Sequence, residues 1–273
     1  MNKITVIIPT YCPGDYLFDC LKSLSEQIFQ DFTCIVVLNG PEEPYRTQIR
    51  NWFNVLDLNN AELLYSKVKG VSAARNMALD CCNSEYVVFL DDDDLVNPEY
   101  LDSLYRSAGH DSIVEAAVCN FTDSTPHVLN IDYIAREFRK EKVIELAPCG
   151  CPSVFNSVWG KLLPRNLLAG CRFHESLALG EDSLFMYQLM ASPVKSVRYV
   201  PEATYLRRVR FNSASRRKYS IATIITNRFF LAFAFSKVYF CNITKMNFLF
   251  YARRIIAIFT KGLLILLVAK NNS

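Results

Sequence analysis

Four carboxylates stand side by side at Asp91, Asp92, Asp93 and Asp94, directly after the apolar run EYVVFL. Adjacent carboxylates at a strand end repel one another unless a cation is near. A donor set made only of oxygen suits Mn2+ or Mg2+, ions that keep several waters and take up substrate phosphates. The alternative is a solvated acidic turn that caps the next helix through Asp94. A second acidic pair, Glu181 and Asp182, follows Gly180 and opens a helical pattern. The helix dipole favours carboxylates there, so capping competes with chemistry. Tyr11 follows Thr10 at the end of the first apolar run, and an aromatic at a strand end is either a stacking face or a core-edge residue. Lys161 in WGK reads as an acceptor or phosphate contact, or as a solvated helix residue. Arg207, Arg208 and Arg210 form a basic group before Ser213 and Ser215. Arginine suits pyrophosphate, so they read as a loop closing over a diphosphate or as plain basic surface. His174 reads as a satisfied surface histidine.

The elements that must position these residues are legible in outline. Residues 3–8 and 32–38 are continuous β-branched and apolar runs, the pattern of strands buried on both faces. Residues 14–27 and 70–82 carry apolar residues at helical spacing, and 45–55 reads as a helix. Residues 62–65, 85–90 and 113–119 read as strands. Asn97 and Pro98 suit the N-cap and first position of a helix through Leu104. Residues 123–150 read as an irregular insertion. Helices are expected near 157–169 and 181–191, with a strand near 195–200. Alternation of this kind gives a mostly parallel sheet flanked by helices, with ligands at the carboxyl ends of the strands. Pro9-Thr10-Tyr11, Asn39-Gly40 and Asp91–Asp94 all fall at such ends.

The charge is unevenly spread. Of 30 Lys and Arg, 13 fall in residues 203–273, which hold none of the 27 Asp and Glu. An acidic first part is thus joined to a basic, aromatic tail, and such a tail is expected to meet something anionic. Residues 219–240 and 248–269 are strongly apolar but interrupted by Arg228, Lys237, Arg253, Arg254 and Lys261. A span needs about 20 nearly uncharged residues, so in-plane helices at a membrane surface are expected. A helical hairpin packed on the first part is the alternative. The ten cysteines show no CxxC pair, and the three histidines fit no zinc pattern. These features imply a reducing compartment. The opening MNKITVIIPTY is too short for a signal core, is ended by Pro9, and reads as the first strand.

Taken together, VIIPTY, GVSAARNMAL, SEYVVFLDDDDLVNPEYL, WGKLLPRNLL, LGEDSLF and YLRRVRFNSAS occur in this order over residues 3–216. They resemble the motifs of the family 2 glycosyltransferases with the GT-A fold. The resemblance implies an α/β, Rossmann-like, mostly parallel sheet with a basic helical C-terminal extension. The catalytic domain would occupy 1–216, with a nucleotide part about 1–120 and an acceptor part about 121–216, and 217–273 would be the tail. It also implies an inverting transfer of sugar from a nucleotide-sugar donor, a UDP-sugar by preference, to a glycan hydroxyl. The acceptor class it suggests is a lipid-diphosphate-linked oligosaccharide, made at the cytoplasmic face of the membrane for O-antigen or capsule.

The resemblance further implies roles at particular positions. Pro9, Thr10, Tyr11 and Asn39 would line the base pocket. Asn39 stands where the family often has an acidic residue, and it can still donate and accept toward uracil. Asp91 and Asp92 would complete the donor site, and Asp93 would be the direct ligand of Mn2+ or Mg2+. Arg75 would reach donor phosphates or ribose, with a salt bridge to the aspartates as its alternative. Asp182 would be the general base, and Glu181 an acceptor or supporting carboxylate. The chemistry is coherent, since a hydroxyl attacking an anomeric carbon needs a base within hydrogen-bond reach.

A nucleotidyltransferase is the rival enzyme, but the first loop, TYCPGDY, has no basic residue to cradle a triphosphate. A non-catalytic module docking to membrane is the other rival. Nucleic acid is not expected as a partner, because the tail's aromatics sit in apolar stretches rather than between basic residues.

Overall fold

The computed structural model describes residues 2–123, 125–131, 138, 144–177, 179–210 and 220–271, with side chains described outside 125–131 and 261–271. Strands β1 (Ile4–Thr10) and β2 (Phe32–Asn39) pair in parallel, with Ile4 opposite Phe32 and Thr10 opposite Leu38. β3 (Ala61–Ser66) pairs with β2, and β4 (Tyr86–Phe89) flanks β1 on the other side, all parallel. Both faces of β1 must be covered because every residue in it is buried. Ile4, Val6 and Ile8 pack with helix α1 (Asp15–Ser25), through Leu17, Leu21 and Leu24, while Ile7 faces Ala74 and Ala78 of helix α3 (Val71–Cys81). The period-two alternation of a strand thus sorts its residues into two cores. Helix α2 (Tyr45–Val55) lies between β2 and β3 in the chain, at the bounds expected from sequence.

After the aspartates come β5 (Leu95–Val96), α4 (Tyr100–Arg106), β6 (Ser112–Thr122), β7 (Thr125–Ile131), β8 (Glu145–Leu146) and β9 (Lys161–Pro164). Helix α5 (Glu181–Gln188) and strand β10 (Ser196–Arg208) follow. The sheet runs β3-β2-β1-β4-β9-β6-β10-β5, with β7 on β6 and β8 on β10. β9 is antiparallel to both neighbours, and β10 is parallel to β6. This is the mixed, mostly parallel α/β sheet expected from the sequence. Part of the region read as an irregular insertion is in fact strand.

Two expectations fail for identifiable reasons. Residues 157–169 are not a helix. Lys161–Pro164 form a short strand buried on both sides between β4 and β6, followed by a 3-10 turn at Arg165–Leu168. Asn97 does not cap α4. Its side chain accepts from Thr204 N (2.7 Å) and donates to Glu202 O (3.0 Å), so it pins β5 to β10.

The tail forms two helices, α6 (Ile221–Cys241) and α7 (Phe248–Asn271). Ile224, Asn227, Leu231, Phe235 and Tyr239 of α6, with Phe250, Arg254 and Ile258 of α7, are buried. Tyr187 of α5 stacks on Phe235 at 4.4 Å, and Tyr239 stacks on Tyr251 at 4.3 Å. The packed hairpin is therefore realised, although its outer face stays apolar.

Candidate functional site

The carboxyl ends of β1, β2 and β4, parallel neighbours, lie side by side at one end of the sheet. Thr10 ends β1 and its Oγ1 donates to Asp92 Oδ2 at 2.5 Å. Asn39 ends β2; its Nδ2 donates to Thr10 O (2.8 Å) and its Oδ1 accepts from Gly70 N (3.2 Å). Asn39 is buried, so these bonds tie β1, β2 and the start of α3 together. Pro9 is buried inside β1 opposite Val37, and shapes the strand end from within. Tyr11 is 47 % exposed, with Lys69 Nζ 4.8 Å from its ring centroid. Its ring lies against Gly40, where a Cβ would come within 2.6 Å of Tyr11 Cε2 and where φ is +131°. Glycine is needed at position 40 on both counts.

The four aspartates divide their work. Asp94 is buried, accepting from the Tyr205 hydroxyl (2.7 Å) and from Arg208 N (2.7 Å). It anchors the turn to β10 instead of capping a helix. The Tyr205 hydroxyl also accepts from the Asp91 backbone N–H at 3.3 Å. Asp93 is partly exposed and is ion-paired with Arg210. Burial pushes the Asp92 carboxyl up to about 6, against the pull of Thr10. Burial and the charge of Asp91 push Asp93 up as well.

Arg75 joins the two acidic groups. Its Nη2 donates to Asp91 Oδ1 at 2.9 Å and its Nη1 to Asp182 Oδ1 at 2.6 Å, with Glu181 Oε1 at 4.0 Å. The guanidinium is buried over the Phe173 ring, 5.2 Å from its centroid. Burial opposes its charge, but Asp182, Asp91 and Glu181 outweigh it and raise its pKa. The salt bridge, the alternative reading of Arg75, is the state observed. Glu181 and Asp182 open α5 behind Gly180, which has a φ of +89°. Burial raises the Asp182 pKa even though Arg75 lowers it.

Lys161 is corrected outright. It lies in a strand, is fully buried, and pairs with Glu115 Oε2 at 3.0 Å, with Trp159 O at 3.1 Å. It is neither a solvated helix residue nor a surface contact for an acceptor. Arg208 is also buried: its Nε donates to Asp93 O (2.8 Å), its Nη2 to Asp19 Oδ2 (3.1 Å), and its Nη1 pairs with Asp123. Arg207 donates to Asn120 Oδ1 at 2.9 Å. These two arginines belong to the sheet, where Arg208 also braces the aspartate turn from behind, and the guanidinium of Arg210 pairs with the Asp93 carboxylate. Ser213 and Ser215 lie outside the described residues. His174 is half-buried, edge-on to Phe230 at 5.0 Å, with a buried Nδ1 that has no hydrogen-bond partner among the described residues, so it is not the satisfied surface histidine expected.

Sequence reasoning missed the struts behind α5. Asn227 Nδ2 donates to Leu179 O (2.9 Å), and a Cβ on Gly180 would meet Leu231 Cδ2 at 2.8 Å. Arg254 donates to Ser183 Oγ, Asn156 Oδ1 (2.8 Å) and Phe155 O (3.1 Å). The tail therefore holds the helix that carries Glu181 and Asp182.

Burial and the Asp182 charge push Glu181 up to about 7, from an ordinary value near 4.5. Between these values the folded chain keeps a proton that the unfolded chain has lost. Stability without donor should therefore fall as pH rises through that window. Glu181→Gln should flatten that part of the profile, as read by urea unfolding from pH 4.5 to 8 in chelator.

Among the described residues, no group of three or more His, Cys, Asp or Glu closes a metal cage. Mg2+-type ions are commonly held by one or two carboxylates plus substrate oxygens. Asp93, partly exposed in a run of four aspartates and already drawing the cationic Arg210, fits that pattern.

A mixed α/β sheet with an aspartate cluster and an exposed tyrosine at its strand ends defines a chain of the GT-A fold class. The sequence matches Glycosyl transferase family 2 over residues 5–160, and the chain belongs to that family. Glycosyltransferase GlyA of Streptococcus pneumoniae is 31 % identical over 231 residues, 79 % of this chain and 32 % of GlyA. The chain thus spans about a third of that relative. TarS 1–349 of S. aureus in complex with UDP-GlcNAc superposes with a TM-score of 0.68 at 20 % identity, covering 85 % of this chain and 66 % of that one. Mannosyltransferase PcManGT of Pyrobaculum calidifontis, in complex with GDP-Man and Mn2+, gives 0.58 at 19 % identity, with coverages of 86 % and 63 %. Both share the fold.

Proposed function

We propose that the chain transfers a sugar from a nucleotide-sugar donor to a glycan hydroxyl, with inversion at the anomeric carbon. The observation that carries this reading is the Arg75 guanidinium, which joins Asp91 of the donor-side cluster to Asp182 at the head of α5. That bridge brings a diphosphate-facing acidic cluster and a candidate base to either side of one side chain. Tyr11 offers the base a stacking face beside Lys69. Asp93 would hold Mn2+ or Mg2+, which when bound neutralises charge on the leaving diphosphate. Asp182 accepts the proton of the attacking hydroxyl, and a burial-raised pKa makes it a stronger base than a free aspartate. One base and direct displacement give inversion. The TarS complex with UDP-GlcNAc supports a uridine donor, and the PcManGT complex supports a divalent ion. The acceptor we assign is a lipid-diphosphate-linked oligosaccharide at the cytoplasmic face of the membrane. The basic, apolar tail supports that choice.

The test is a binding panel of UDP- and GDP-sugars with Mn2+, Mg2+ or EDTA. A UDP-sugar is expected to bind with metal, and Asp93→Ala to weaken it by about 10–100-fold or more. Absence of binding by every nucleotide sugar, with either metal, overturns the transferase reading.

A further inference from the structure

We infer that the outer face of the α6–α7 hairpin is a docking surface for an anionic lipid bilayer. This deepens the reading of the acceptor as membrane-borne, with which it shares the basic, apolar tail, and it is independent of the donor site. The buried stripe of α6 recurs at Ile224, Asn227, Leu231, Phe235 and Tyr239. On the opposite side of the helix Phe229, Phe233 and Phe240 are 63, 68 and 64 % exposed. α7 continues that face with Leu249, Ile256 and Phe259, and Phe229 meets Phe259 edge-on at 5.7 Å. A continuous apolar face this size marks an interaction site.

Charge decides the partner. Lys237, Lys245 and Arg253 are exposed on the same hairpin, and residues 203–273 hold 13 basic residues and no acid. A second copy of the chain would set like charges against one another. An anionic lipid surface neutralises them while its acyl boundary takes the phenylalanines.

Packing decides the mode. Among the described residues, α6 is the one helix long and apolar enough to cross a membrane. Crossing would strip Leu231, Phe235 and Tyr239 from the core and break the Asn227 bond to Leu179 O. In-plane seating keeps all of these contacts. The inner face of the same hairpin holds α5 through Asn227 and Arg254. A docked hairpin therefore keeps Glu181 and Asp182 in a fixed relation to the lipid surface.

Flotation of the full chain with phosphatidylcholine vesicles, with and without phosphatidylglycerol, tests this without any donor. Binding is expected only with phosphatidylglycerol and should weaken with salt. Phe229→Ser with Phe233→Ser should lower it by about tenfold or more, with circular dichroism unchanged because both rings are solvent-facing. Should that variant misfold, Lys237→Glu with Lys245→Glu reads the electrostatic half and should also reduce binding. Wild-type chain left unbound at low salt would overturn the inference. So would folded variants that bind as wild type does, or a self-association abolished by the Phe229 and Phe233 changes in a chain that ignores vesicles. Loss of nucleotide-sugar binding would leave this result untouched, so the two readings fail separately.

Discussion

Asp182→Asn is expected to lower kcat by about 10²–10⁴-fold, the usual contribution of a positioned general base. Donor affinity should stay near that of wild type. Asparagine keeps an oxygen where Oδ1 now accepts from Arg75 Nη1 at 2.6 Å, so the strut to Asp91 survives. What it loses is the charge and the ability to take a proton. The wild-type pH profile adds a second readout. Burial raises the Asp182 pKa, so the rate should fall with acidification at a pH above the ordinary aspartate range. That limb should be missing from the residual activity of the asparagine variant. Glu181→Gln is the control, because Glu181 stands 4.0 Å from Arg75 and carries its own raised pKa. If Glu181→Gln takes the larger loss, the base is Glu181. If Asp182→Asn abolishes donor binding instead of turnover, then Asp182 acts by holding Arg75.

The sequence made the types of the acting groups visible, but not how they share the work. β1, β2 and α2 were legible because a continuous apolar run or a helical period is a local signal. The aspartate cluster was legible as a cluster. That Asp94 serves the scaffold could not be read, because its partners Tyr205 and Arg208 lie 111 and 114 residues away. Arg75 shows the same limit: its salt bridge to the aspartate cluster was one of two readings, but its second partner, Asp182, lies 107 residues on and could not be read. The misread segment 157–169 is cut by Gly160 and Pro164 into apolar pieces too short for periodicity to separate strand from helix. The tail was read as facing lipid or as packing on the domain. Each of its helices has one face in the core, and Arg254, which looks like a surface charge, is buried against α5. Basic residues announce a destination in sequence only when they stay exposed.

Lys161→Met should be the most destabilising single change, costing about 3–5 kcal/mol, as expected when one partner of a buried ion pair is removed. Lys161 and Glu115 face each other across β9 and β6, and both side chains are fully buried. Methionine fits the volume but removes the cation that Glu115 faces, so Glu115 must hold a buried charge or take up a proton. The double variant Lys161→Met with Glu115→Leu should recover most of the loss, because an apolar pair in the same space has no charge to desolvate. Urea midpoints of the two single variants, the double and the wild type close the cycle. The consequence for the site is specific. Trp159, whose carbonyl accepts from Lys161 Nζ, stacks on Tyr205 at 5.3 Å, and Tyr205 holds both Asp91 and Asp94. Lys161 is among the charges that lower the Asp182 pKa, so a shift of the acid limb to higher pH in the restabilised double variant would show that its charge reaches the base beyond what the loss of Glu115 offsets. Recovery of stability without that shift would confine the pair to the scaffold. Recovery with the shift would make Lys161 a distant regulator of the base, acting through the field inside the sheet rather than through contact with substrate.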